Sequence, residues 1–213
     1  MTSERLFRVD FEAGIKALKD DLIRDGGPQI SSLRNHPFAI LPYFPEDEFK
    51  LRRRLVKLTA ELRAAGWEVL SLDLQAHVLR LIKDELDDEL EFYIETEREQ
   101  SEADVLGGLE ALVDELGPIL EGPEGIAGRV AAEIRSFADK YPAKAERLVV
   151  FLGHAGALFP FHRSSALLKH LAGRTGGVPV VLLYPGHRGP GKTELSFMGV
   201  QKADKDYRPR IYP

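Results

Sequence analysis

The chain predicts an α/β fold: a mainly parallel sheet of four or five strands, flanked by helices and interrupted by a helical insertion. Three observations carry this. "FAILPYFP" and "WEVLSLDL" are apolar runs separated by an amphipathic helical segment, the strand–helix–strand order of a parallel crossover unit. "RLVVFLG" and "VPVVLLYPG" repeat that order around a shorter helical segment, and their unbroken apolar character suits strands covered on both faces. Between the two pairs, residues 75–145 are helical in pattern and too long for an ordinary connection, so they predict an insertion within a single domain spanning 1–213.

Taken in order, Ser3 to Asp25 places Phe7, Phe11, Ile15, Leu18 and Leu22 at helical spacing and stops at Gly26-Gly27-Pro28, which predicts a docking helix. "HPFAILPYFP" is a strand bounded by prolines. Glu46, Asp47 and Glu48 then open a helix whose Leu51, Leu55, Leu58 and Leu62 form one stripe and which Gly66 closes. Within the insertion an acidic segment comes first. A segment around Leu109 to Leu116 follows, expected to break at Gly117-Pro118, and then a helix with Ile126, Val130, Ile134 and Phe137 on one face. Arg163 to Leu171 reads as a helix with Ser164 and Ser165 as its caps, and "LSFMGV" as an edge strand. The pattern leaves strand order open.

Composition narrows the class. A hydrophobic share of 44% and a charged share of 30% across 213 residues suit a globular domain with a substantial core. With no cysteine, disulfide frameworks, thiol catalysis and cysteine-ligated metals are excluded. No run approaches the ~20 apolar residues of a membrane span, and the amino terminus is a charged amphipathic helix rather than a signal peptide, so the expected location is cytoplasmic. The net charge of −5 is unevenly spread. Asp84 to Asp104 holds eleven acids and one base, whereas Arg147 to Thr193 holds no acid. An acidic arm and a basic or neutral half follow, the latter admitting nucleic acid as a partner.

Gly186 to Thr193, "GHRGPGKT", matches the phosphate-loop pattern and follows an apolar strand, which raises nucleotide binding as an alternative. A phosphate loop needs a helix immediately after it, aimed at the phosphates. Here Leu195, Phe197 and Gly199 alternate with Ser196, Met198 and Val200 as in a strand, so a Gly/Pro turn between two strands is the better reading. The six histidines (His36, His77, His154, His162, His170, His187) never stand at a metal-ligand spacing, and neither a metal nor a cofactor is expected. His162 beside Ser164-Ser165 lacks the strained turn that exposes a catalytic serine, and no catalytic residue is assigned. Asp73 stands at a strand's carboxyl end, where open α/β sheets place ligands, and also where it caps the next helix. Arg52-Arg53-Arg54 with Lys57 reads as a solvated helix face.

"FLGHAGALFPFHRSSALLKHL", "VPVVLLYPG", "LSFMG" and the terminal "DYRPRIY", with "FAILPYFPEDEFKLRRRL" near the start, resemble the BrxB family, a small component of bacteriophage-exclusion (BREX) defence systems. The resemblance is most specific between Phe151 and Gly186 and weakest in the insertion and at the carboxyl end, where one tyrosine, Tyr207, precedes Arg208 rather than two. It implies an accessory protein encoded alongside a DNA methyltransferase, a large ATPase and an alkaline-phosphatase-like protein, and needed for defence without an established catalytic activity of its own. Those proteins are the expected partners. The candidate partner-binding residues are His162, Arg163, Tyr184, Gly186 and Arg208. Arg163 is suited to bidentate pairing with a carboxylate or phosphate, Gly186 to a turn after Tyr184, and Arg208 to tying the tail to the sheet.

Overall fold

The computed structural model describes residues 11–24, 28–30, 37–104, 106–122, 124–188, 195–198 and 209–213. Among the described residues seven α-helices, α1 (Phe11–Ile23), α2 (Glu48–Ala64), α3 (Leu74–Leu86), α4 (Leu90–Ala103), α5 (Gly107–Glu121), α6 (Ile126–Lys140) and α7 (Ser164–Leu171), surround six strands. The strands are β1 (Phe38–Tyr43), β2 (Glu68–Asp73), β3 (Leu148–Gly153), β4 (Val180–Arg188), β5 (Leu195–Phe197) and β6 (Arg210–Ile211). Their order is β2-β3-β4-β1-β6, all parallel, with β5 antiparallel to the end of β4. The expected α/β sheet is present, one strand larger than the pattern predicts.

The order follows from which side chains need covering. β1, β3 and β4 are apolar at successive positions, so both sheet faces must be roofed. Ala39, Leu41, Tyr43, Val149, Phe151 and Leu183 point to the face carrying α1 and α2. Ile40, Val150, Leu152, Val180 and Leu182 point to the face carrying α3, α5, α6 and α7. Each such side chain taken out of water contributes about 1.5–3 kcal/mol before entropy is subtracted. From β1 the chain runs through α2 to the far edge, then returns strand by strand through β2, β3 and β4. Connections therefore leave β1 and β4 in opposite directions, and the sheet's switch point lies between them, where Tyr43 stands opposite Pro185.

Two local expectations are corrected. α5 does not break at Gly117-Pro118 but continues to Glu121. Pro118 lies in the last turn, where its missing N–H costs one bond, while Leu116 and Leu120 on either side are buried and hold the helix on course. Ser164 and Ser165 do not cap α7; Arg163 occupies the cap position without a side-chain cap, and Ser164 is buried inside the first turn. Of the expected N-terminal helix, the described part is α1.

Candidate functional site

At the carboxyl end of the sheet, five polar side chains from four elements meet. Tyr43 ends β1 and its hydroxyl donates to Glu48 Oε2 at the first turn of α2. Glu48 Oε1 accepts from Arg52 Nε at 2.8 Å, one helical turn on. Arg52 Nη2 lies 2.6 Å from His154 Nε2, just past β3, and His154 Nδ1 lies 2.7 Å from Asp73 Oδ1 at the end of β2. Arg52 has only donors, so His154 accepts with Nε2 and carries its proton on Nδ1, facing Asp73. That last approach is off the hydrogen-bond axis and acts as a close polar contact rather than an aligned bond. Asp73 Oδ1 also caps α3, accepting from Ala76 N at 3.2 Å.

The ionisation of the cluster follows from these contacts. Burial, reinforced by the Glu48 bond, drives the Tyr43 hydroxyl far above its usual range. For Glu48, burial acts upward, but hydrogen bonds from Tyr43 and Arg52 and the Arg52 charge outweigh it and hold the carboxyl below its ordinary value. Asp73 behaves likewise: burial opposes ionisation, while His154 and the Ala76 N–H win. His154 itself adopts a left-handed backbone with φ 56° and ψ 37°, a conformation that non-glycine residues take rarely and that here swings the ring between two crevices. One, about 280 Å³, runs beneath α2 over Leu51, Leu55, Phe151 and Leu183. The other, about 270 Å³, lies at the switch point against Pro45, Pro185 and Met198. Tyr43, Glu48 and His154 belong to both.

The residues expected to bind partners are His162, Arg163, Tyr184, Gly186 and Arg208. His162 is 5% exposed and Tyr184 1%, and Gly186 is buried; of the four that are described, Arg163 alone presents its side chain to solvent. Arg208, like Lys192 and Thr193, lies outside the described residues. Gly186 makes no turn: β4 continues through it to Arg188. Its hydrogen is required because a Cβ there would stand 2.1 Å from the Ser196 carbonyl oxygen of β5. β5 begins at Leu195, two residues after the phosphate-loop pattern ends, so a strand stands where that motif requires a helix. The carboxyl tail is tied by Arg210, whose Nη2 pairs with the buried Asp21 at 2.7 Å while Tyr212 donates to the same oxygen at 3.0 Å. Asp21 falls three residues after Leu18 on the apolar stripe of α1, a position that marks it as a buried acid.

Two cations of the basic half meet partners within the chain. Arg188 turns inward to the Ile211 carbonyl, Arg174 faces Glu124 at 3.6 Å, and β3 and β4 themselves are core. The acidic arm is the opposite case. None of the residues of α4 is buried, yet Phe92 is 65% and Ile94 43% exposed. Beside them an apolar groove of about 140 Å³ runs between α3, α4 and α5 along Leu86, Leu90, Tyr93, Ile94 and Leu112, with Glu97 at its edge. Among the described residues no group of three acids or histidines is placed to hold a metal, and no helix is long and apolar enough to cross a membrane.

Residues 70–211, two thirds of the chain, match the family model described as BREX protein BrxB. Neither the curated proteins nor the solved structures hold a match to the chain. The matched region runs from within β2 through β6, with Asp73, His154 and the acidic arm, while Tyr43, Glu48 and Arg52 precede it. The chain belongs to the BrxB family of BREX proteins.

Proposed function

We propose that this BREX phage-defence component is a non-enzymatic accessory protein that docks other proteins of its system through the α4–α5 arm. The observation that supports this reading is α4, a helix with no buried residue that nonetheless carries Phe92 and Ile94 outward beside an apolar groove. Exposed apolar surface rimmed by carboxylates suits a basic amphipathic segment laid across α4, its apolar residues against Phe92 and its cations against Glu91, Glu95 and Glu99, which form one row beside Phe92 and turn away from the groove-lining Leu90, Ile94 and Glu97. The alkaline-phosphatase-like protein, the large ATPase and the DNA methyltransferase are the candidate partners.

The test is co-purification of the tagged chain with each of these three proteins, co-expressed singly. One of them should be retained, with the retained amount falling as salt rises. Replacing Glu91, Glu95 and Glu99 together by lysine should release it while leaving the melting temperature unchanged. Retention undiminished by the triple replacement would remove the arm from the docking role.

A further inference from the structure

A second site, sharing no residue with the arm, is carried by the way Arg52 is held. Its Nε donates to Glu48 Oε1 at 2.8 Å, its Nη2 lies 2.6 Å from His154 Nε2, and its guanidinium carbon stands 5.8 Å from the centre of the Phe49 ring. Two acceptors and an aromatic face are what a guanidinium asks of a binding site. The acceptors are themselves fixed from behind: Tyr43 holds the other oxygen of Glu48, and Asp73 faces the protonated nitrogen of His154. Arg52, by contrast, is an exposed side chain on the surface of α2 and loses little by leaving. Behind it lies the 280 Å³ crevice with its floor of Leu51, Leu55, Phe151 and Leu183. Without Arg52, the carboxylates of Glu48 and Asp73 would face that opening with no cation between them. An anion is disfavoured there despite the nearby start of α3, because Asp73 already occupies the Ala76 N–H.

We propose that Glu48, His154 and Phe49 form a cage for a guanidinium or ammonium group borne on an apolar stem. In the unliganded chain Arg52 fills the cage. The incoming cation displaces it, and the stem lies along Leu51, Leu55, Phe151 and Leu183. The same chemistry is offered by a small alkylguanidine and by an arginine side chain of another protein.

Calorimetric titration of the full chain with agmatine, and separately with the blocked tripeptide acetyl-Gly-Arg-Gly-amide, tests this. Arg52→Ala should bind the better probe about two- to fivefold more tightly than the unsubstituted chain, because the weakly held resident competitor is gone. Adding Glu48→Gln to Arg52→Ala should abolish that gain. Should Glu48→Gln lower the melting temperature, Phe49→Ala, an exposed position, replaces it in the same comparison. Tighter binding of the tripeptide assigns the cage to a protein's arginine, and tighter binding of agmatine to a free small cation. Absence of binding by Arg52→Ala to either probe at millimolar concentration overturns the proposal, as does equal affinity with and without Glu48.

Discussion

Helices α4 and α6 both lie between β2 and β3, with 14 and 15 residues, and they behave in opposite ways. α6 sets Ile126, Val130, Ile134 and Phe137 along one stripe, and all four are buried against the sheet. α4 places Phe92, Tyr93 and Ile94 at consecutive positions, which a helix points in three directions, so no packing against one neighbour covers them all. α6 therefore contributes to stability, and α4, supported at Tyr93 by its neighbours but carrying Phe92 outward, contributes surface. Between β2 and β3, periodicity separates the helix that builds the fold from the helix whose apolar side chains stay at the surface.

The contrast breaks most visibly through α6. Ile134→Ala empties a fully buried position and is expected to cost about 2–5 kcal/mol in chemical unfolding. A smaller loss, roughly 1–3 kcal/mol, is expected of Gly186→Ala, whose added methyl must push the Ser196 carbonyl away from β4. Unchanged urea midpoints for that variant would show that the β4–β5 pairing yields without cost.

A milder effect comes from acid. Burial drives His77 and His162 below the ordinary imidazole range; the charges of Glu133 and Glu121 oppose this, and those of Arg80 and His170 reinforce it. The folded-state values lie below that of the unfolded chain, so the unfolded chain binds more protons in acid. Stability is thus fully present above about pH 6.5 and is lost as pH falls through the folded values. Urea midpoints should fall between pH 7 and pH 5, and His162→Leu should flatten that fall. A decline confined to below about pH 4 would instead assign it to Glu48 and Asp73, whose depressed values place their loss in that lower window. The smallest effect belongs to Phe92→Ala, expected to stay within about 0.5 kcal/mol of the unsubstituted chain.

The same physics explains what the sequence makes legible. β1 to β4 are unbroken or alternating apolar runs bounded by Gly and Pro, and both crossover units follow from their spacing. β6 is two residues long, between Pro209 and Pro213, and owes its place to the Arg210–Asp21 tie rather than to a pattern of its own. The turn expected around Lys192 lies outside the described residues, whereas the strand after it is legible, because alternation at Leu195 and Phe197 is local. Of the sheet-end site, Asp73 is legible from its place at a strand's carboxyl end. His154, directly after Gly153, satisfies the same rule, but Arg52 stands 102 residues away from it and alone resembles any charge on a helix face. Tyr184 and His162 illustrate the converse: a motif draws attention to them, and the fold places both in the interior.

The docking role proposed for α4 requires that this helix serve association and not the fold. Phe92→Ser combined with Ile94→Ser, introduced into a complete BREX system, tests this through phage plating efficiency alongside the melting temperature of the purified chain. An unchanged melting temperature with protection lost is the predicted result; protection retained at the same protein level would contradict it.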